Sequence, residues 1–191
     1  MTVIHFLQHV DQTVTLFINS FHTPFTDAMW QFFSAKEIWF PFYLLVAVCL
    51  VRRLGWKRGA AAVVACILTI VCCDQLANFT KETVGRLRPC WDLNMVDGGL
   101  HLLEGRGNLY GFYSAHAANA MGFAVCTGRC FKAGRHSKRS AYYAIAVIWA
   151  LLVGASRIFV GKHFFGDVCV GFLVGYLFGK FFSFLACRLN L

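Results

Sequence analysis

Residues 156–167 read SRIFVGKHFFGD and lie between two apolar runs, AYYAIAVIWALLVGA and VCVGFLVGYLFG. The stretch gathers Arg157, Lys162, His163 and Asp167 at the edge of membrane-grade sequence. Ionisable groups are expensive at membrane depth and point to function by default. His163 and Asp167 are four apart, so on a helix they share a face. A carboxylate accepting from one imidazole nitrogen fixes the tautomer and leaves the other as a nucleophile or base. Two further clusters match: KETVGRLRP (81–89), with Lys81, Arg86 and Arg88, and YSAH (113–116), with Ser114 and His116. Cations converging with few anions need an anionic ligand. Arg offers bidentate donors that suit phosphate, and Lys offers a point charge. A helix starting near Ser114 adds backbone N–H groups for the same anion. His116, from a separate segment, supplies the general acid. One histidine attacks, the other protonates the leaving group, and the cations hold the charge. No carboxylate cluster accompanies them, which argues against a metal-dependent version of this chemistry. Neither a metal nor a cofactor is expected.

The elements that position these residues are membrane helices. Hydrophobic residues make up 58% of the 191 residues and charged ones 14%, against about a quarter charged in soluble domains. The 20 Phe suit acyl chains and the interfacial belt. Length predicts one integral-membrane domain over 1–191. The fold expected is all-α, a polytopic transmembrane bundle of about five to six helices, the first amphipathic or short. The opening stretch sets Val3, Phe6, Leu7, Val10, Val14, Phe17, Ile18 and Phe21 at helical spacing opposite Gln8, Asp11, Gln12 and Thr15. It lacks the features of a signal peptide and fits the interface or the side of the bundle. Thr26-Asp27 then cap a short helix through Phe33. Residues 38–51 fall short of the ~20 a span needs and borrow from Phe32 onward. A helix led by 60–73 reaches Thr80, and 81–112 is a long polar connection. Ser114 to Cys130 form the next helix, and spans over roughly 140–158 and 164–187 complete the chain. The nine cysteines lie mostly in apolar runs and act as small hydrophobes. Cys90 alone sits in a clearly polar loop, with no evident partner.

Two basic loops, RRLGWKRG (52–59) and RCFKAGRHSKR (129–139), orient the bundle. Residues 52–58 hold four Lys/Arg and 129–139 hold five, with no acid in either. The positive-inside rule makes both cytoplasmic. Alternation then brings 81–112 and the 156–163 turn to the opposite face. The net charge of +9 thus reports topology, and the split of basic residues argues against a nucleic-acid partner. Arg86 and Lys162 are secondary candidates, as phosphate attractors or solvated charges. His101, Asp92, Asp97 and Glu104 are within reach of a substrate headgroup, but a plain solvated outer loop is the favoured reading. Asp74 should pair with another intramembrane polar group. Trp30, Trp39, Trp56 and Trp91 read as interfacial aromatics, and His5 and His9 as interfacial residues.

The joint pattern K-x6-R-P (Lys81, Arg88, Pro89), S-x-H (Ser114, His116) and S-R-x5-H-x3-D (Ser156, Arg157, His163, Asp167) resembles the tripartite signature of the type 2 phosphatidic acid phosphatase superfamily. The resemblance covers residues 81–167 in the right order, and LFINSFHTPFTDAMW is similar to small bacterial members. It implies a helical membrane fold and a metal-independent phosphatase with a phosphohistidine intermediate. His163 would be the nucleophile, Asp167 its partner and His116 the acid. Lys81, Arg88, Ser114 and Arg157 would bind phosphate oxygens, with Ser156 a further polar contact. The family's middle motif is usually P-S-G-H, and here it is Tyr113-Ser114-Ala115-His116. Ala115 keeps its N–H as a donor if the helix begins there.

The expectation is dephosphorylation of a lipid phosphate or diphosphate in a bacterial cytoplasmic membrane, with the site on the periplasmic or outer side. Undecaprenyl diphosphate, phosphatidylglycerol phosphate, phosphatidic acid and lipid A phosphates are all compatible. The rivals are a lipid phosphotransferase and a non-enzymatic lipid-phosphate binder or transporter. The partner is the bilayer and its lipid; the oligomeric state stays open.

Overall fold

The computed structural model describes residues 3–132 and 140–188. Among them are eight α-helices: α1 (Val3–Asn19), α2 (Pro24–Ser34), α3 (Phe40–Leu54), α4 (Trp56–Val84), α5 (Leu93–Asp97), α6 (Ala115–Lys132), α7 (Ser140–Phe159) and α8 (Phe165–Arg188). Of these, α4, α7 and α8 are long and apolar enough to cross a membrane. Helix α2 and the stretch Lys36–Leu54 pass the same test only as a pair, bent by 62°. The bend answers the shortage of length in 38–51: the chain leaves the α3 axis to roof one end of the bundle.

Helix α6 is the bundle's axis, packed against α4, α7 and α8. Nearly all of it from Ala117 to Phe131 is buried, so it needs small side chains rather than lipid-grade ones. Against it α8 presents Gly171, Gly175 and Gly179 at intervals of four, an α-helical stripe that lets backbones meet. A Cβ at Gly171 would stand 2.6 Å from the Ser114 carbonyl oxygen, and one at Gly179 would stand 2.7 Å from that of Gly122. Around this axis, Trp39, Phe42, Tyr43, Phe123 and Trp149 form an aromatic cluster. Trp39 is thus half-buried within this cluster. Trp30 stacks on Phe159 at 4.1 Å, whereas Trp56 and Trp91 are exposed.

Local chemistry moves several boundaries. The N-cap of α2 is Thr23, not Thr26: the Thr23 hydroxyl accepts from Thr26 N, Thr26 Oγ1 accepts from Thr23 N, and Pro24 follows. Basic residues 52–58 are not a loop. Arg52 and Arg53 close α3, Gly55 turns the chain at φ 81°, and Lys57 and Arg58 lie in α4. Helix α4 runs past Thr80 to Val84 and ends on Gly85 in the left-handed region. Of the second basic stretch, 133–139 lies outside the described residues.

Helix α1 keeps its apolar residues outward: Val3, Ile4, Phe6, Leu7 and Phe17 are exposed. It turns a polar face inward, burying Thr15 and Asn19. That suits a helix lying between the bundle and the bilayer interface. The outer connection is folded. Leu87 bridges to Tyr110, Gly111 N donates to Arg86 O at 2.9 Å, and Cys90 is buried with its thiol on Arg106 O at 3.5 Å.

Candidate active site

Asp167 lies in the first turn of α8 and is fully buried. Its Oδ2 accepts from the backbone N–H of Phe164 at 3.1 Å, the contact an acid three residues into a helix makes with the chain entering it. Its Oδ1 accepts from Arg86 Nη1 at 2.7 Å. Its backbone carbonyl accepts from Ser114 N at 3.1 Å, which joins the starts of α6 and α8.

His163 sits in the Val160–Phe164 turn, its N–H donating to Arg157 O at 3.1 Å. Gly161 at φ 76° makes this turn possible. The ring is buried, with Nδ1 facing Asp167 Oδ2 at 3.5 Å and no shorter partner. Burial pushes the His163 pKa down to about 4; the nearby Arg157 and Arg88 charges add to the shift, and Asp167 opposes it. At neutral pH the imidazole is uncharged.

A cleft of about 410 Å³ opens against this ring. Its lining combines the polar His116, His163, Lys36, Lys81, Arg88 and Arg157 with the apolar Phe33, Trp39, Phe40, Tyr43, Ile70 and Phe123. His116 comes from the first turn of α6, Lys81 from the last turn of α4 and Arg157 from the last turn of α7. Arg88 is aimed by the outer segment, with Nε donating to Tyr110 O at 3.1 Å and N to Leu109 O at 3.0 Å. Asp74 also lines the cleft and accepts from Asn119 Nδ2 at 2.8 Å, the intramembrane pairing expected of it. Four cations and one such carboxylate line the cleft beside apolar side chains, so it favours an anion that carries hydrocarbon.

Arg157 is buried. Its Nη1 donates to Ser34 Oγ and lies 3.5 Å from Glu104 Oε2, while its Nε is buried without a partner. Ser34 and Glu104 are hydrogen-bonded to each other. Glu104 is therefore not a free loop residue: it is partly buried against the arginine expected to hold phosphate.

Four expected contacts fall elsewhere. Ser114 is not among the cleft-lining residues; it is buried at the start of α6, where its Oγ accepts from Ala117 N at 3.5 Å. Because α6 begins at Ala115 without a positive φ, the alanine in YSAH is accommodated. Ser156 donates to Val153 O at 2.7 Å inside its own helix. Lys162 Nζ donates to Gly105 O, pinning the outer segment. Arg86 does not line the cleft and is half-buried. It lies against the Phe164 ring at 4.1 Å and bridges Asp11 and Asp167.

Ser34 and Lys36 escaped the sequence reading, which named Asp11 and Glu104 without giving either a partner at the site. Asp11 accepts from Arg86 Nη2 at 2.6 Å and from Gly166 N at 2.8 Å, tying α1 to the start of α8. Its only sequence signal is an acid on the polar face of an amphipathic helix.

Comparison with known proteins accords with this geometry. The profile of the PAP2 superfamily matches residues 58–186. The chain is 36% identical to a lipid A 4'-phosphatase of Bacteroides thetaiotaomicron, over 98% of this chain and 82% of that protein. A lipid A 4'-phosphatase of Porphyromonas gingivalis is 30% identical over 93% of this chain and 73% of its own length. An undecaprenyl-diphosphatase of Sulfolobus acidocaldarius is 28% identical over 83% of this chain and 66% of its own. The fold is similar to the crystal structure of a transmembrane PAP2-type phosphatidylglycerolphosphate phosphatase from Bacillus subtilis. That similarity has a TM-score of 0.76 at 20% identity and covers 96% of this chain and 88% of that one. For Aquifex aeolicus LpxE the TM-score is 0.65 at 23% identity, with 89% and 92% covered. A membrane bundle with this motif set, matched by the profile and by near full-length relatives, makes the chain a member of the PAP2 superfamily and a lipid phosphatase.

Proposed function

We propose that this phosphatase hydrolyses a phosphate monoester on a lipid A-type glycolipid through a phosphohistidine intermediate, without a metal ion. His163 Nε2 attacks phosphorus while Asp167 holds the Nδ1 proton. The P–O bond to the lipid breaks as His116, protonated alongside the bound phosphate dianion, gives its proton to the departing oxygen. Lys81, Arg88 and Arg157 hold the phosphoryl oxygens. Water deprotonated by His116 then attacks phosphorus, the P–N bond breaks, and inorganic phosphate leaves. Ser114 and Asp11 act indirectly, by fixing where α6 and α8 begin.

The observation that carries this reading is the meeting of a neutral, Asp-backed His163 with His116 and four cations in one cleft. The two lipid A 4'-phosphatase relatives support the substrate class. Residues 1–191 then work as one domain, since α1 and α2 both touch the site. The cleft faces the periplasm, and Arg52, Arg53, Lys57 and Arg58 face the cytoplasm.

The test is phosphate release, with chelator present, from lipid A 4'-phosphate, lipid A 1-phosphate, undecaprenyl diphosphate, phosphatidylglycerol phosphate and phosphatidic acid. The lipid A species should give the highest kcat/KM, and His163→Ala should abolish turnover. Labelled phosphate should be trapped on wild-type protein as an acid-labile, base-stable adduct. Higher kcat/KM on undecaprenyl diphosphate would move the reading to that substrate. Phosphate recovered on a second lipid would make the enzyme a transferase.

A further inference from the structure

A second cluster of metal-binding groups stands outside the cleft lining. His22, in the connection between α1 and α2, stacks on His101 of the outer segment with ring centroids 3.8 Å apart and planes at 9°. His101 Nε2 lies 3.0 Å from Oδ2 of Asp27, in the first turn of α2. One ligand atom from each of the three lies within 4.8 Å of the others. The second carboxylate oxygen, Asp27 Oδ1, is buried and has no partner.

We propose that His22, Asp27 and His101 bind a zinc-type divalent ion that staples α1, α2 and the outer segment together over the cleft. Two imidazoles and one carboxylate form a borderline donor set, suited to zinc, nickel, cobalt or copper and not to magnesium or calcium. Zinc distances of about 2.0–2.2 Å put tetrahedral donors roughly 3.3 Å apart. The His101–Asp27 pair already meets that spacing. The exposed His22 ring closes the remainder by side-chain rotation.

Two of the three ligands are held by the scaffold. Asn19, buried in α1, donates through Nδ2 to His101 O at 3.0 Å and accepts from His101 N at 2.7 Å. Asp27 N donates to Thr23 O at 2.8 Å within the first turn of α2. Waters complete the coordination on the exposed side. The ion takes no part in the phosphoryl chemistry. Its leverage is geometric: α2 ends in Ser34, and the outer segment carries Glu104 three residues beyond His101, and both contact Arg157.

The experiment uses full-length, tag-free, chelator-stripped protein in detergent, titrated with Co²⁺ and followed by its visible absorption, with Zn²⁺ as competitor. The expected result is one Co²⁺ per chain with the d–d bands of a nitrogen–oxygen site, displaced by Zn²⁺. His22→Ala, His101→Ala and Asp27→Asn should each weaken binding by roughly ten-fold or more. His22→Ala should keep its phosphate release in chelator, which separates loss of the metal from loss of fold. Undiminished binding in His22→Ala/His101→Ala overturns the proposal, as does a thiolate-to-cobalt charge-transfer band, which would put the ion on cysteine. If the variants do not fold, the wild-type spectrum decides alone.

Discussion

Arg86 donates to Asp167 at 2.7 Å, so the carboxylate behind the proposed nucleophile is held by a residue 81 positions earlier, at the start of the outer connection. The same guanidinium reaches Asp11 at 2.6 Å, which makes α1 part of the support. Arg86→Ala should lower kcat roughly ten-fold or more, about 1.4 kcal/mol of barrier, because it leaves Asp167 charged, buried and free to turn from His163. Arg86→Lys should recover part of the loss, since one ammonium cannot serve both carboxylates as a fork does. Wild-type kcat in Arg86→Ala would return Arg86 to the role of a solvated charge.

The buried His163 sets the acid limb of the pH profile. Its pKa is held near 4 in the folded protein, whereas a free histidine titrates near 6.5. The neutral ring is the attacking form, so kcat/KM should persist below pH ~6.5 and fall as pH drops through about 4. The unfolded chain binds the extra proton first. The stability contributed by neutral His163 is therefore complete above the unfolded value and lost as pH falls toward the folded one. An acid limb centred near pH ~6.5 would contradict the buried, neutral ring.

Glu104 lies where a phosphate oxygen would compete for Arg157. Glu104→Gln keeps the shape and removes the charge. Inhibition by inorganic phosphate should tighten roughly five-fold, equivalent to about 1 kcal/mol. An unchanged inhibition constant would show that the carboxylate does not oppose anion binding.

The α6–α8 contact should tolerate no added volume. A Cβ at Gly179 would press on the Gly122 carbonyl at 2.7 Å and on Val125. Gly179→Val should therefore destabilise the detergent-solubilised protein by about 1–3 kcal/mol. Leu177→Ala, at an exposed position of the same helix, should shift the melting temperature little. Equal shifts for both would remove the close-packing argument.

Orientation is tested by labelling. An impermeant thiol reagent applied to intact cells should modify a cysteine placed at Asn108, in the exposed outer segment, and spare one at Lys57. The reverse pattern would invert the assignment.

The sequence by itself determined the class of fold, the family and the motif residues. Apolar runs can be satisfied only as membrane helices, and Lys81, Arg88, His116, Arg157, His163 and Asp167 stand at spacings that place them at helix ends. Side-chain partners were not legible there. Glu104 and Asp11 look like solvated acids in one dimension, because nothing local sets whom they meet. Only tertiary structure brought Asp11 to Arg86 across 75 positions, and Glu104 to Arg157 across 53. It also withdrew Ser156 and Lys162 from the cleft, by giving them nearer backbone acceptors. A buried charge takes the partner that the fold places within reach, and that depends on how the helices pack.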